Sequence, residues 1–96
     1  MLRRKAENVG DVLSQYMREV GIETPLAEYR AVQAWPKIAG KAVAARTLDV
    51  SLHHQTLYVK LLSPALRNEL AMRRASLVSQ LNEAAGMQVV FDIHFY

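Results

Sequence analysis

From Thr56 to Leu62 the chain alternates: Leu57, Val59 and Leu61 fall on one side, and Tyr58, Lys60 and Leu62 on the other. A period of two marks a strand with one buried face. The period changes at Ser63-Pro64. Serine suits an N-cap because its hydroxyl accepts a hydrogen bond from an orphan amide of the first turn. Proline suits the first helical position, where no amide is needed and φ is already helical. Beyond that pair, Leu66, Leu70, Leu77, Leu81 and Ala84 share one helical face, which predicts one long helix from Ala65 through Asn82 that stops before Gly86. A strand running straight into a helix with a matching apolar face predicts a helix folded back across the sheet.

The remaining elements fit around that corner. Val9, Val12, Leu13, Tyr16, Met17 and Val20 follow helical spacing, with Asn8 suited to the N-cap and Gly21 to the residue after the end. Thr24-Pro25 repeats the cap-and-proline start, and Leu26, Tyr29 and Val32 form the next stripe. Trp35-Pro36 interrupts it, because proline lacks an amide and crowds the preceding turn; a kink or a fresh helix start is expected there. A third helix, from Pro36 to about Ala45, carries Ile38, Ala39 and Val43, with Gly40 inside it for close backbone approach. From Arg46 the period is two again: Leu48, Val50 and Leu52 face one side, Asp49, Ser51 and His53 the other. His53-His54-Gln55 links this run to the next as an antiparallel hairpin, without an Asn-Gly turn signal. A third strand is expected over Gln88 to Tyr96, with Val89, Phe91, Ile93 and Phe95 inward and Val90, Asp92, His94 and Tyr96 outward.

The order is therefore α-α-α-β-β-α-β, an α+β two-layer sandwich whose three-stranded mixed sheet is covered by helices on one face. The outer sheet face is expected to carry His53, Tyr58, Lys60, Val90, His94 and Tyr96. Residues 1–8 form a basic arm and residues 9–96 one domain.

Composition narrows the chemistry. The 96 residues hold no cysteine, which removes disulfides, thiolate metal sites and a cysteine nucleophile and fits a reducing, cytoplasmic setting. No apolar run approaches the ~20 residues of a membrane span, and the basic start is not followed by an apolar stretch. Net charge is +3, a mild bias whose distribution matters more than its size: Arg3, Arg4 and Lys5 cluster in the arm, and Arg73 and Arg74 make a second cluster.

No nucleophile elbow, paired acid and base, or glycine-rich phosphate loop is present, and the four glycines are isolated. Neither an enzyme nor a bound cofactor or small-molecule substrate is expected. Adjacent His53 and His54 point to opposite faces of a strand and do not easily share one ion; His94 lies on another strand with Asp92 on the same face, which leaves a metal site a remote alternative to plain surface polar residues. The nucleic-acid candidates are Arg3, Arg4, Lys5, Arg73 and Arg74 for phosphates and Tyr58 and Lys60, with their neighbours on the sheet, for single-stranded bases. The plainer reading makes the arginines solvated or snorkelling charges and Trp35 a core anchor.

Several segments together resemble the DciA-like family: Ala31 through Gly40 with Trp35-Pro36, then Ala44-Ala45-Arg46-Thr47, the strand Leu57-Tyr58-Val59, the corner Ser63-Pro64-Ala65-Leu66-Arg67-Asn68-Glu69-Leu70, and Leu81-Asn82 through Gly86 to Asp92-Ile93. The resemblance covers about residues 9–95. It implies a KH-like domain and a bacterial protein that assists loading of the replicative DNA helicase and binds DNA. Its signature positions fall on Trp35, Gly40, Thr47, Ser63, Glu69, Leu70, Leu81 and Asn82, with Pro64 completing the corner. This chain has Leu66 where many members carry tryptophan and Arg46 where they carry histidine. It also lacks the G-x-x-G loop with which KH domains clamp a nucleic-acid backbone, so that mode of RNA gripping is not expected.

The leading expectation is a non-enzymatic adapter that binds DNA weakly and partners the replicative helicase. The alternatives are a single-stranded nucleic-acid module using the open sheet face, and a protein–protein scaffold. The sequence leaves the oligomeric state, the partner surface and the strand order open.

Overall fold

A computed structural model describes residues 21–96. The basic arm and the helix expected over residues 9–20 lie outside the described residues.

The first described helix, α1 (Glu23–Ala39), buries Ala27, Ala31, Trp35 and Ala39. This i, i+4 row of small residues lets the backbone approach its neighbours closely, with Trp35 supplying the bulk. The stripe expected from Leu26, Tyr29 and Val32 is displaced: Leu26 and Val32 are half-buried, and Tyr29 is exposed. Thr24 does not cap, because the helix already begins at Glu23; Pro25 still lies in the first turn, where its missing amide has no helical partner to lose. Pro36 neither kinks the chain into a new helix nor starts one. It sits inside α1, four residues before Gly40; the one amide it removes would have met the Val32 carbonyl, the last turn keeps its Gly40 amide to Pro36 carbonyl bond (3.1 Å), and buried Trp35 and Ala39 hold that turn on the core.

The helix ends instead at Gly40, whose φ of 100° is left-handed. A Cβ there would meet nothing within 4 Å. Conformation, not close packing, therefore requires this glycine. A short helix, α2 (Lys41–Ala45), leads into the hairpin.

Strands β1 (Thr47–His53) and β2 (Thr56–Leu61) pair antiparallel, and β2 pairs parallel with β3 (Asp92–Phe95), giving the mixed order β1-β2-β3. A register shift between Thr47 and Asp49 takes Leu48 out of the ladder. The bulge turns Leu48 to solvent, so it is not the core residue that its period suggests. Leu57, Val59, Leu61 and Ile93 are buried on the helix side.

The hairpin turn is tighter than its composition suggests. His54 and Gln55 both have positive φ, 51° and 69°, as a two-residue type I′ turn demands. Neither is the glycine or asparagine that adopts this conformation cheaply. The Gln55 carbonyl accepts from the amides of Phe91 (2.8 Å) and Asp92 (3.4 Å), tying the turn to the entry of β3. Replacing the pair by His54→Asn with Gln55→Gly is expected to stabilise the domain by about 1–2 kcal/mol. Chemical denaturation checks this.

Ser63 caps α3 (Pro64–Ala71): its Oγ accepts from the Leu66 amide at 3.3 Å, with Pro64 in the first turn. The single long helix expected next is in fact two. The Arg73 amide donates to the Leu70 carbonyl at 2.9 Å, a turn at exposed Met72 and Arg73 interrupts the helix, and α4 (Arg74–Ala85) begins after it. The break has a packing reason: α3 lies on β2 and β3, whereas α4 packs chiefly against α1. Leu70 is buried from α3, and Leu77, Leu81 and Ala85 from α4. Ala84, expected on the buried face, is exposed, and Ala85 takes its place. Gly86 closes α4 in the left-handed conformation.

β3 is shorter than expected. Val89 and Val90 are both buried and do not alternate, so Val90 belongs to the core and not to the outer face. Phe91 is 54% exposed where burial was expected. The two-layer α+β sandwich stands: among the described residues, helices cover one side of the sheet and none covers the other.

Candidate nucleic-acid interface

The strand register places three rows of side chains on the open face. Asp49 of β1 is opposite Lys60, beside which Tyr96 extends β3; Ser51 is opposite Tyr58, which is opposite His94; and His53 is opposite Thr56, which is opposite Asp92. Tyr96 is held in line by its own backbone: its amide donates to the Val59 carbonyl (3.0 Å), and its carbonyl accepts from the Leu61 amide (2.7 Å).

Four rings form an unbroken path across this face. His53 and Tyr58 have centroids 6.1 Å apart, Tyr58 and His94 meet edge to face at 5.7 Å, and His94 and Tyr96 stack at 5.8 Å with planes 14° apart. Such contacts restrain each ring while leaving its outer surface to solvent. Tyr58 is half-buried and Lys60, His94 and Tyr96 are exposed.

The second basic cluster is elsewhere. Arg73 precedes α4 and is exposed. Arg74 reaches Asp92 at 3.6 Å, with both side chains about half exposed, so the pair is screened and adds little stability. Asp92 lies beside Thr56, four residues from Lys60, about 13 Å along the strand. The structure thus puts Tyr58 and Lys60 on one face and sets Arg74, through Asp92, at the opposite rim, with Arg73 the residue before it. Arg3, Arg4 and Lys5 lie outside the described residues. Among the described residues no group of three or more His, Asp or Glu is placed to hold a metal ion, and no helix is long and apolar enough to cross a membrane.

Behind the open face two polar networks fix the sheet. The Trp35 Nε1–H donates to Thr47 Oγ1 (3.2 Å), whose hydroxyl donates to the Val43 carbonyl (2.9 Å). Trp35 also packs on Phe95, centroids 6.0 Å apart. Asn82 clamps the segment before β3: its Oδ1 accepts from the amides of Val89 (2.9 Å) and Val90 (2.8 Å), and its Nδ2 donates to the Val90 carbonyl (2.8 Å). Periodicity carries no trace of this clamp, because Asn82 lies on a helix flank where any polar residue reads as solvated.

The family model described as Dna[CI] antecedent, DciA, matches residues 8–95, nearly the whole chain. The chain belongs to the DciA family. No curated protein sequence matches it. DciA membership places the chain among helicase loaders of bacterial DNA replication. The positions on which the DciA resemblance rests now have physical roles. Trp35, Leu70 and Leu81 are fully buried, Ser63 caps a helix, Gly40 supplies a left-handed φ, and Thr47 and Asn82 complete the two networks. Glu69 is exposed, as is Pro64 at the start of α3. These residues specify the DciA scaffold, and the open face is decorated by others.

Proposed function

We propose that this DciA-family chain is a non-enzymatic adapter that holds single-stranded DNA across its open sheet face while it engages the replicative helicase. Tyr58, His94 and Tyr96 stack successive bases, Lys60 meets the phosphate path at one rim, and Arg73 and Arg74 meet it at the other. Arg3, Arg4 and Lys5 add phosphate contacts from the arm. With no phosphate-binding loop in the sequence, loading works by unequal affinity for helicase states, which shifts their populations. The observation that carries the DNA reading is the unbroken run of rings on a sheet face that no other described element covers. Aromatic faces favour single strands because every base has a face to stack while its pairing edge stays free.

Tyr58→Ala is expected to weaken binding of a short DNA oligonucleotide about 5–100-fold, the range for loss of one stacked base. Lys60→Ala is expected to reduce affinity and flatten its salt dependence by roughly 0.7 in the log–log slope. Fluorescence anisotropy at several salt concentrations reads both. If affinity survives both changes yet falls on removal of residues 1–5, the sheet is not the platform. The helicase role is tested by co-purification with the cognate helicase and its assembly on single strands; no association at micromolar concentration contradicts it.

A further inference from the structure

Among the described residues the outer edge of β1 pairs with no strand, because β1 ends the sheet order β1-β2-β3. The bonding of β2 shows which backbone groups of β1 are free. Gln55, Val59 and Leu61 bond toward β3 and Tyr96. Thr56, Tyr58 and Lys60 therefore bond toward β1, where they face His53, Ser51 and Asp49. The amides and carbonyls of Val50 and Leu52 point the other way, off the edge of the sheet. The side chains agree: Val50 and Leu52 are half-buried, whereas Val59 and Leu57 opposite them are fully buried. Natural edge strands are blunted by lysine, proline or a bulge. From Asp49 to His53 this strand has no lysine, arginine or proline, and its register shift lies at Leu48, outside that stretch.

We propose that β1 pairs antiparallel with β1 of a second copy of this chain, about a two-fold axis at Ser51. The strand itself selects this register. A slip of one residue sets the free backbone groups of one copy against the bonded groups of the other. Centring the axis on Val50 draws in Leu48, which the bulge takes out of the ladder. Centring it on Leu52 draws in His54, whose φ is positive. With the axis at Ser51, Val50 of each copy exchanges both backbone bonds with Leu52 of the other, so the outward groups of both residues are satisfied. The side chains match as well. On the open face Asp49 lies opposite His53 of the other copy, a carboxylate acceptor against a ring N–H donor, and the pairing occurs twice. On the helix side Val50 and Leu52 carry the apolar row across the seam. The axis also sets the ring paths of the two copies antiparallel on one continuous face, so that each copy takes its own single strand. That consequence rests on the DNA reading above; the pairing does not.

The cysteine-free chain makes the test direct. On the axis Ser51 meets itself in a pair without hydrogen bonds, with Cα atoms about 4.5 Å apart, inside the span of roughly 4.4–6.8 Å that a disulfide bridges. In the full chain, Ser51→Cys is expected to form a disulfide-linked dimer on mild oxidation. Asp49→Cys and His53→Cys alone are expected to stay reduced, because each lies about 13 Å from its own counterpart in the other copy. Mixed together, those two variants are expected to cross-link with each other. Ser51→Cys that stays reduced, or three single variants that cross-link equally, would overturn the proposal. A seam this short makes a weak interface. Light scattering of the unaltered chain is therefore expected to show one chain per particle at low micromolar concentration and two at high. Val50→Pro removes an outward amide and leaves the bonds to β2 in place; it is expected to remain monomeric throughout, with Trp35 fluorescence unchanged. If that variant unfolds, the cysteine set decides alone. An unaltered chain that is monomeric at every concentration, or a folded Val50→Pro dimer, would contradict the pairing, and no readout here involves DNA.

Discussion

Trp35→Ala is expected to lower the free energy of unfolding by about 3–5 kcal/mol, the range for truncating a buried large aromatic. Three losses combine. The fully buried indole leaves a cavity between α1 and the sheet. Its ring contact with Phe95 goes, which loosens the end of β3 next to Tyr96. Its Nε1–H no longer reaches Thr47 Oγ1, although the Thr47 hydroxyl keeps its own bond to Val43. A domain of this size has a total stability on the order of 5–14 kcal/mol, so the variant is close to the threshold of unfolding. Trp35→Phe separates the terms: it retains most of the packing and loses the hydrogen bond, and is expected to cost about 1–2 kcal/mol. Urea denaturation of the two variants checks the order.

The second large effect is at Asn82. Asn82→Ala is expected to destabilise by about 2–4 kcal/mol, because three hydrogen bonds vanish together and the amides of buried Val89 and Val90 are left without the acceptor the side chain supplied. Asn82→Asp keeps an acceptor for those two amides and loses only the donor to the Val90 carbonyl, so its loss is expected to be smaller. Denaturant midpoints check the order of the two variants. Amide hydrogen exchange adds a spatial check: protection is expected to drop first at Val89 and Val90 and along β3, with the β1–β2 hairpin less affected.

Much of this fold is readable from periodicity, and its failures share a cause. The alternation in β2, the Ser63-Pro64 corner and the one-sided sheet follow from local pattern, because a strand and a helix that bury one face each must write that face into their sequences. Pro36, Leu48, Met72 and Phe91 depart from expectation because tertiary partners decide them. Pro36 is tolerated where buried Trp35 and Ala39 anchor the last turn. Leu48 is set by a bulge that no residue type announces. The break near Met72 serves two different packing surfaces. Phe91 and Val90 trade places because Asn82 and Gln55 hold the backbone ahead of β3. For the candidate site, period two assigned Tyr58, Lys60, His94 and Tyr96 to one face, but only the strand order brings His94 beside Tyr58. The Arg73 and Arg74 cluster is visible as composition, yet the distance of Arg74 from Lys60 is a property of the register.

The most direct measurement is a titration of isotopically labelled full chain with a short single-stranded DNA, followed through amide chemical shifts. The account predicts that the largest changes trace Tyr58, Lys60, His94 and Tyr96, with smaller changes at Arg73, Arg74 and the arm, and little along α1. Changes concentrated on the helical layer, with the strands silent, would contradict it.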